Sequence, residues 1–173
     1  MQKTLVMTLM GKDHTGLVES LARLIADHGG NWLESRMCRL GGEFAGILRV
    51  SAPEDRLQTL VNSLQGLDSE GLTVIIRRDE AFSLEGLTKT ATLSLVGQDR
   101  PGIIYQISAA LAHQNINVEE LETECSSAPM SGEMIFRAVA RLQIPETCAM
   151  AELRKELEEI GSELMVDISF MGL

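Results

Sequence analysis

Two short segments carry the residues best suited to chemistry. Gly11-Lys12-Asp13-His14-Thr15-Gly16-Leu17 and Gly97-Gln98-Asp99-Arg100-Pro101-Gly102-Ile103 each place a carboxylate beside a basic or titratable residue and between glycines. Apolar residues at helical spacing follow each one, so each reads as a turn that feeds a helix N-terminus. Backbone N–H groups at such a start have no partner inside the helix, and the helix dipole adds partial positive charge. A small carboxylate is welcome there. Asp13 and Asp99 could accept from an ammonium group on the same ligand, and the glycines allow a close approach. Asn31 and Asn117, at the start of the next strand, offer both donors and acceptors. A plainer reading is equally open: the aspartates cap helices or form Asx turns, and the asparagines tolerate turn dihedrals. No Gly-Lys-Ser/Thr follows either segment, and neither has the middle glycine of a dinucleotide fingerprint, so nucleotide binding is disfavoured.

Other reactive residue types do not assemble. Cys38, Cys125 and Cys148 show neither metal spacing nor an even count for disulfides. Cys38 and Cys125 fall in strand patterns and are expected to be packed thiols. His28 and His113 sit near helix ends, facing the negative end of the dipole. No cofactor or metal is expected, nor a catalytic residue.

The elements that position the two segments come as a repeat. Gly11 falls on Gly97, an offset of 86 residues, and the same offset pairs Thr4 with Thr90, Leu9 with Leu95, Asn31 with Asn117 and Glu34 with Glu120. Further on, Phe44 matches Phe136 and Pro53 matches Pro145, an offset of 92, so the second copy carries about six extra residues, placed in Ser126–Gly132. Leu5, Met7 and Leu9 alternate as one face of a strand, as do Ala91, Leu93 and Leu95. Leu17, Leu21, Leu24 and Ile25, like Ile103, Ile107, Ala110 and Leu111, follow a helical period. Pro101 suits the first helical position, and Gly29-Gly30 and Gln114-Asn115 end these helices. Two strands should follow, then helices opened by Pro53-Glu54 and Pro145-Glu146, then last strands over Thr73–Arg77 and Leu164–Phe170. Each copy is thus βαββαβ: an α+β, ferredoxin-like unit with two helices on one face of a four-stranded antiparallel sheet. The expected domains are 1–80 and 89–173, joined by a linker over 81–88.

Composition bounds the rest. The chain of 173 residues is 45% hydrophobic but only 3% aromatic, so aliphatic side chains and nine methionines must fill the core. Fifteen basic residues face 25 acidic ones, a formal charge of −10, which is the wrong sign for wrapping nucleic acid. No apolar run approaches the roughly 18 residues a membrane helix needs, so a cytoplasmic protein is expected.

Gly-x-Asp-Arg-Pro-Gly-Ile at Gly97–Ile103, followed by Leu111–Val118, resembles the ACT domain, an amino-acid-sensing regulatory module. The first copy follows the same pattern with His14-Thr15 in place of Arg-Pro. Two such domains filling the chain resemble the glycine cleavage system transcriptional repressor family. That resemblance implies a non-enzymatic protein that binds a small amino acid, glycine first, between paired domains. The ligand positions it implies are Asp13, His14, Gly16 and Asn31 in the first copy and Asp99, Arg100, Gly102 and Asn117 in the second. It also implies repression through contact with a LysR-type transcriptional activator rather than with DNA. Homodimer formation and a ligand-free protein-interaction or oligomerisation module, built on unpaired sheet edges, stay open beside it.

Overall fold

The computed structural model describes residues 1–79, 88–129 and 132–171, so the expected linker lies outside the described residues apart from Thr88. The chain divides into two compact units, Met1–Ser83 and Leu84–Leu173.

In the first unit β1 (Gln2–Lys12) leads into α1 (Leu17–Asp27), β2 (Asn31–Leu40), β3 (Glu43–Pro53), α2 (Leu57–Gly66) and β4 (Leu72–Arg78). The second repeats the order with β5 (Thr88–Gln98), α3 (Ile103–His113), β6 (Asn117–Ser127), β7 (Met134–Pro145), α4 (Met150–Leu164) and β8 (Val166–Met171). The sheets run β2-β3-β1-β4 and β6-β7-β5-β8, with every neighbouring pair antiparallel. Both are ferredoxin-like, as the periodicity predicts.

Alternation along the central strands sorts side chains by face. Leu5, Met7, Leu9, Leu48, Val50 and Ala52 are buried under α1 and α2, which contribute Leu21, Ile25, Leu60 and Leu64. Leu93, Leu95, Ala138, Ala140 and Leu142 form the second core with Ile107, Leu111, Leu153 and Leu157. No buried polar residue interrupts either core among the described residues. Burying a leucine or isoleucine side chain contributes about 1.5–3 kcal/mol, so these mainly aliphatic cores supply the main attraction between each helix layer and its sheet.

Several expected boundaries move. Pro101 is not the first helical residue: Gly102, at φ 97, caps α3, which begins at Ile103. Pro53 and Pro145 do not open helices but end β3 and β7, opposite Gln2 and Thr88, where no further ladder donor is needed. A short 3-10 turn, Glu54–Arg56, then precedes α2, while α4 waits until Met150. Leu164 is not in the last strand; it is the buried last residue of α4, and left-handed Met165 (φ 55) breaks the helix before β8. β6 extends to Ser127, and of the expected longer loop residues 130–131 lie outside the described residues. The predicted helix ends are found: Gly29 and Asn115, both with positive φ, follow α1 and α3 at the same repeat position.

Candidate functional site

The segment between β1 and α1 is fixed at both ends. Asp13 N–H donates to Gly42 O (3.1 Å), and in the second unit Asp99 N–H donates to Met134 O (2.9 Å). These bonds tie each loop to the hairpin that joins the next two strands. At the far end Gly16 (φ 90) and Gly102 (φ 97) occupy a conformation that L side chains avoid. Their carbonyls accept from Ser20 and Gln106, starting each helix. No side chain caps either helix, so Asp13 and Asp99 are not capping residues. The first glycine of each loop has another task. A Cβ on Gly11 would lie 2.5 Å from Gly71 O, and one on Gly97 would lie 2.6 Å from Met165 O, where the fourth strand crosses close by.

The two carboxylates have different neighbours at equivalent places. Asp13 Oδ2 accepts from Arg39 Nε at 2.9 Å. One repeat later the position of Arg39 is taken by Cys125, whose thiol lies beside Asp99. Desolvation, and then the charge of Asp99, push that thiol above its ordinary pKa. Among the described residues no cation lies within ion-pair distance of Asp99. Arg100, half-buried, turns its guanidinium to Gln98 Oε1 (3.1 Å) and towards Met165 Sδ (3.8 Å). His14 is exposed and lies 3.2 Å from Thr15 O through Nδ1.

The asparagines are not part of the same cluster. Asn31 pairs with Ser51 and Asn117 with Gln143, at the opposite end of each sheet from the loops. Gln143 and Met134, the residue that anchors Asp99, are nine positions apart on β7, about 30 Å at the usual rise. Within one unit the expected residues therefore form two groups, Asp99, Arg100 and Gly102 at one end and Asn117 at the other, with the same division in the first unit. Glycine spans only about 4 Å between its charged groups.

ACT-domain profiles match residues 3–77 and 91–147. The chain is a tandem ACT-domain protein. It is 24% identical over 166 residues to the glycine cleavage system transcriptional repressor of Escherichia coli K12, covering 94% of this chain and 86% of that one. A solved structure of an unknown protein from Galdieria sulphuraria superposes with a TM-score of 0.85 at 29% identity, over 100% of this chain and 99% of the other. Another, provisionally described as a glycine cleavage system transcriptional repressor, gives 0.70 at 19% identity over 99% and 97%, which shows a shared fold. This is an ACT-domain regulatory protein related to that repressor.

Two features of the ACT units escape a reading of single residues. Arg39 and Cys125 become visible only when the offset of 86 is carried to the end of β2 and β6. The second is a repeated ion pair: Glu34 Oε2 with Arg49 Nη1 at 3.2 Å and Glu120 Oε1 with Arg141 Nη2 at 2.9 Å. The matching of Glu34 with Glu120 was its signal. Both pairs sit just after a bulge, between Trp32 and Glu34 and between Val118 and Glu120. Cys38 and Cys125 are exposed rather than packed: both lie on edge strands, and Cys38, in register with Ala45 and Met10, is on the sheet face turned away from the helices. Trp32 is half-buried against the first core, and its indole N–H donates to Ser35 Oγ at 3.3 Å. His28 Nδ1 lies 2.8 Å from Leu24 O, so it does face the end of α1. Among the described residues no cluster could hold a metal, and no helix is long and apolar enough to cross a membrane.

Proposed function

We propose that this chain is a non-enzymatic amino-acid sensor that represses transcription of glycine cleavage genes through contact with a DNA-binding activator. Glycine is the favoured effector. The observation that carries this reading is the loop–helix junction of the second ACT unit. There an uncapped α3 start, a positive-φ glycine and a carboxylate without a cationic partner stand together. The helix start suits the ligand carboxylate, and Asp99 suits its ammonium. The same junction of the first unit has Arg39 already on Asp13, so its carboxylate is committed.

The full-length relationship to a transcriptional repressor supports the regulatory role. A chain of net charge −10 is poorly suited to phosphate backbones, so a protein partner of the LysR type is the better route to DNA, in the cytoplasm. Glycine has five heavy atoms, and the best small ligands reach about 1.5 kcal/mol per atom, so binding is limited to about 7.5 kcal/mol and a micromolar constant. That range suits a gauge of a metabolite pool. The separation of Asn31 and Asn117 from the loops favours a second reading, a ligand-free interaction module. Titration calorimetry with glycine, serine and alanine separates the two. Saturable heat that disappears in Asp99→Asn supports sensing, and no heat with any of the three supports the module.

A further inference from the structure

Each sheet buries one face under its helices and leaves the other open, and the two open faces differ in charge. Across β2-β3-β1-β4 the first face reads Glu34, Arg49, Val6, Arg77 in one row and Arg36, Ile47, Thr8, Ile75 in the next. Its third row is Cys38, Ala45, Met10 and Thr73. Across β6-β7-β5-β8 the matching rows are Glu120, Arg141, Thr92, Met171; Glu122, Val139, Ser94, Ser169; and Glu124, Arg137, Val96, Asp167. Three arginines therefore face Glu34 and Asp79 on the first sheet, whereas four acids and the adjoining Glu119 outnumber two arginines on the second.

The central strands carry apolar or small residues at the middle of both faces. Ile47 is 53% exposed and Val139 48%, and Met10, Ile75 and Val96 are exposed around them. Most of the charges lie on the edge strands. The two central arginines nearest the bulges are already neutralised, Arg49 by Glu34 and Asp79 and Arg141 by Glu119 and Glu120. An apolar middle with a charged rim is the anatomy of a protein interface, and two sheets stack about 10 Å apart with their side chains interdigitated.

We infer that the open face of the first sheet docks on the open face of the second sheet of another copy of this chain. Like-on-like pairing of the second faces would oppose two acidic surfaces, so the complementary pairing is preferred. Four strands about 4.8 Å apart and some seven residues long give about 450 Å² of flat area per face. One contact falls short of the roughly 800 Å² per partner of a stable complex, whereas a copy that lends both its faces reaches it.

Sedimentation equilibrium of the full chain tests this, with circular dichroism to confirm folding. The wild type is expected at twice 18.9 kDa, with association weakened at least tenfold by Ile47→Asp, by Val139→Asp and by high salt. Arg77→Glu and Glu122→Lys should each weaken association, and the double variant should regain it. A monomeric wild type, a dimer indifferent to Ile47→Asp and Val139→Asp, or a double variant no better than either single one would overturn the proposal.

Discussion

Asp13 and Asp99 occupy one position in two copies, yet Arg39 neutralises the first while a thiol accompanies the second. Replacing Asp99 with Asn should therefore do two things. It should weaken glycine binding at least tenfold, because a charge-assisted bond to the ammonium is lost. It should also ease ionisation of Cys125. The raised pKa means that the thiolate is disfavoured; with one of the nearby negative charges removed, the thiol ionises at lower pH. The rate of iodoacetamide alkylation, followed against pH with Cys38 and Cys148 changed to Ser, should shift to lower pH in Asp99→Asn. Desolvation and Glu124 remain, so the thiol still titrates above an ordinary cysteine. Glycine chemistry gives a second prediction at this scale. Gly102→Ala forces an L residue to φ 97 and should cost about 1–2 kcal/mol. Gly66→Ala, at a helical φ of −61 with open space around it, should instead stabilise by up to about 1 kcal/mol. Chemical denaturation of both variants reads the contrast.

At the scale of elements, the helices matter through one stripe each. Leu157 lies on the buried stripe of α4 at 2% exposure, and Leu157→Ala should destabilise the second unit by about 2–5 kcal/mol, read by thermal unfolding. Much of this layer was legible beforehand, since Leu17, Leu21 and Ile25 or Leu93 and Leu95 announce their period directly. The errors fell where a residue type fits two neighbouring contexts. Pro53 and Pro145 suit a helix start and a strand end equally, and the outcome depended on where the ladder with β1 or β5 ran out. Leu164 continues both the helical stripe of α4 and the alternation of β8, and left-handed Met165 decided between them. The site was less legible than the fold. The sequence places Asp99 and Asn117 eighteen residues apart; only the register shows that one helix carries the chain to the opposite end of the sheet.

The molecule as a whole is a duplication in which the copies kept one scaffold and diverged in surface. Their cores share no residue: Met7 belongs to one and Leu157 to the other. Met7→Ala and Leu157→Ala should therefore act independently, with the double variant's loss equal to the sum within about 0.5 kcal/mol by denaturant titration. The proposed ligand binding belongs to the second unit, because Arg39 occupies Asp13 in the first whereas Cys125 stands at that place in the second. Isothermal titration of the full chain with glycine is the most direct test of that central claim. One site per chain with a micromolar or weaker constant, abolished by Asp99→Asn and retained in Asp13→Asn, is the predicted result; no heat, or binding that survives Asp99→Asn, would contradict it.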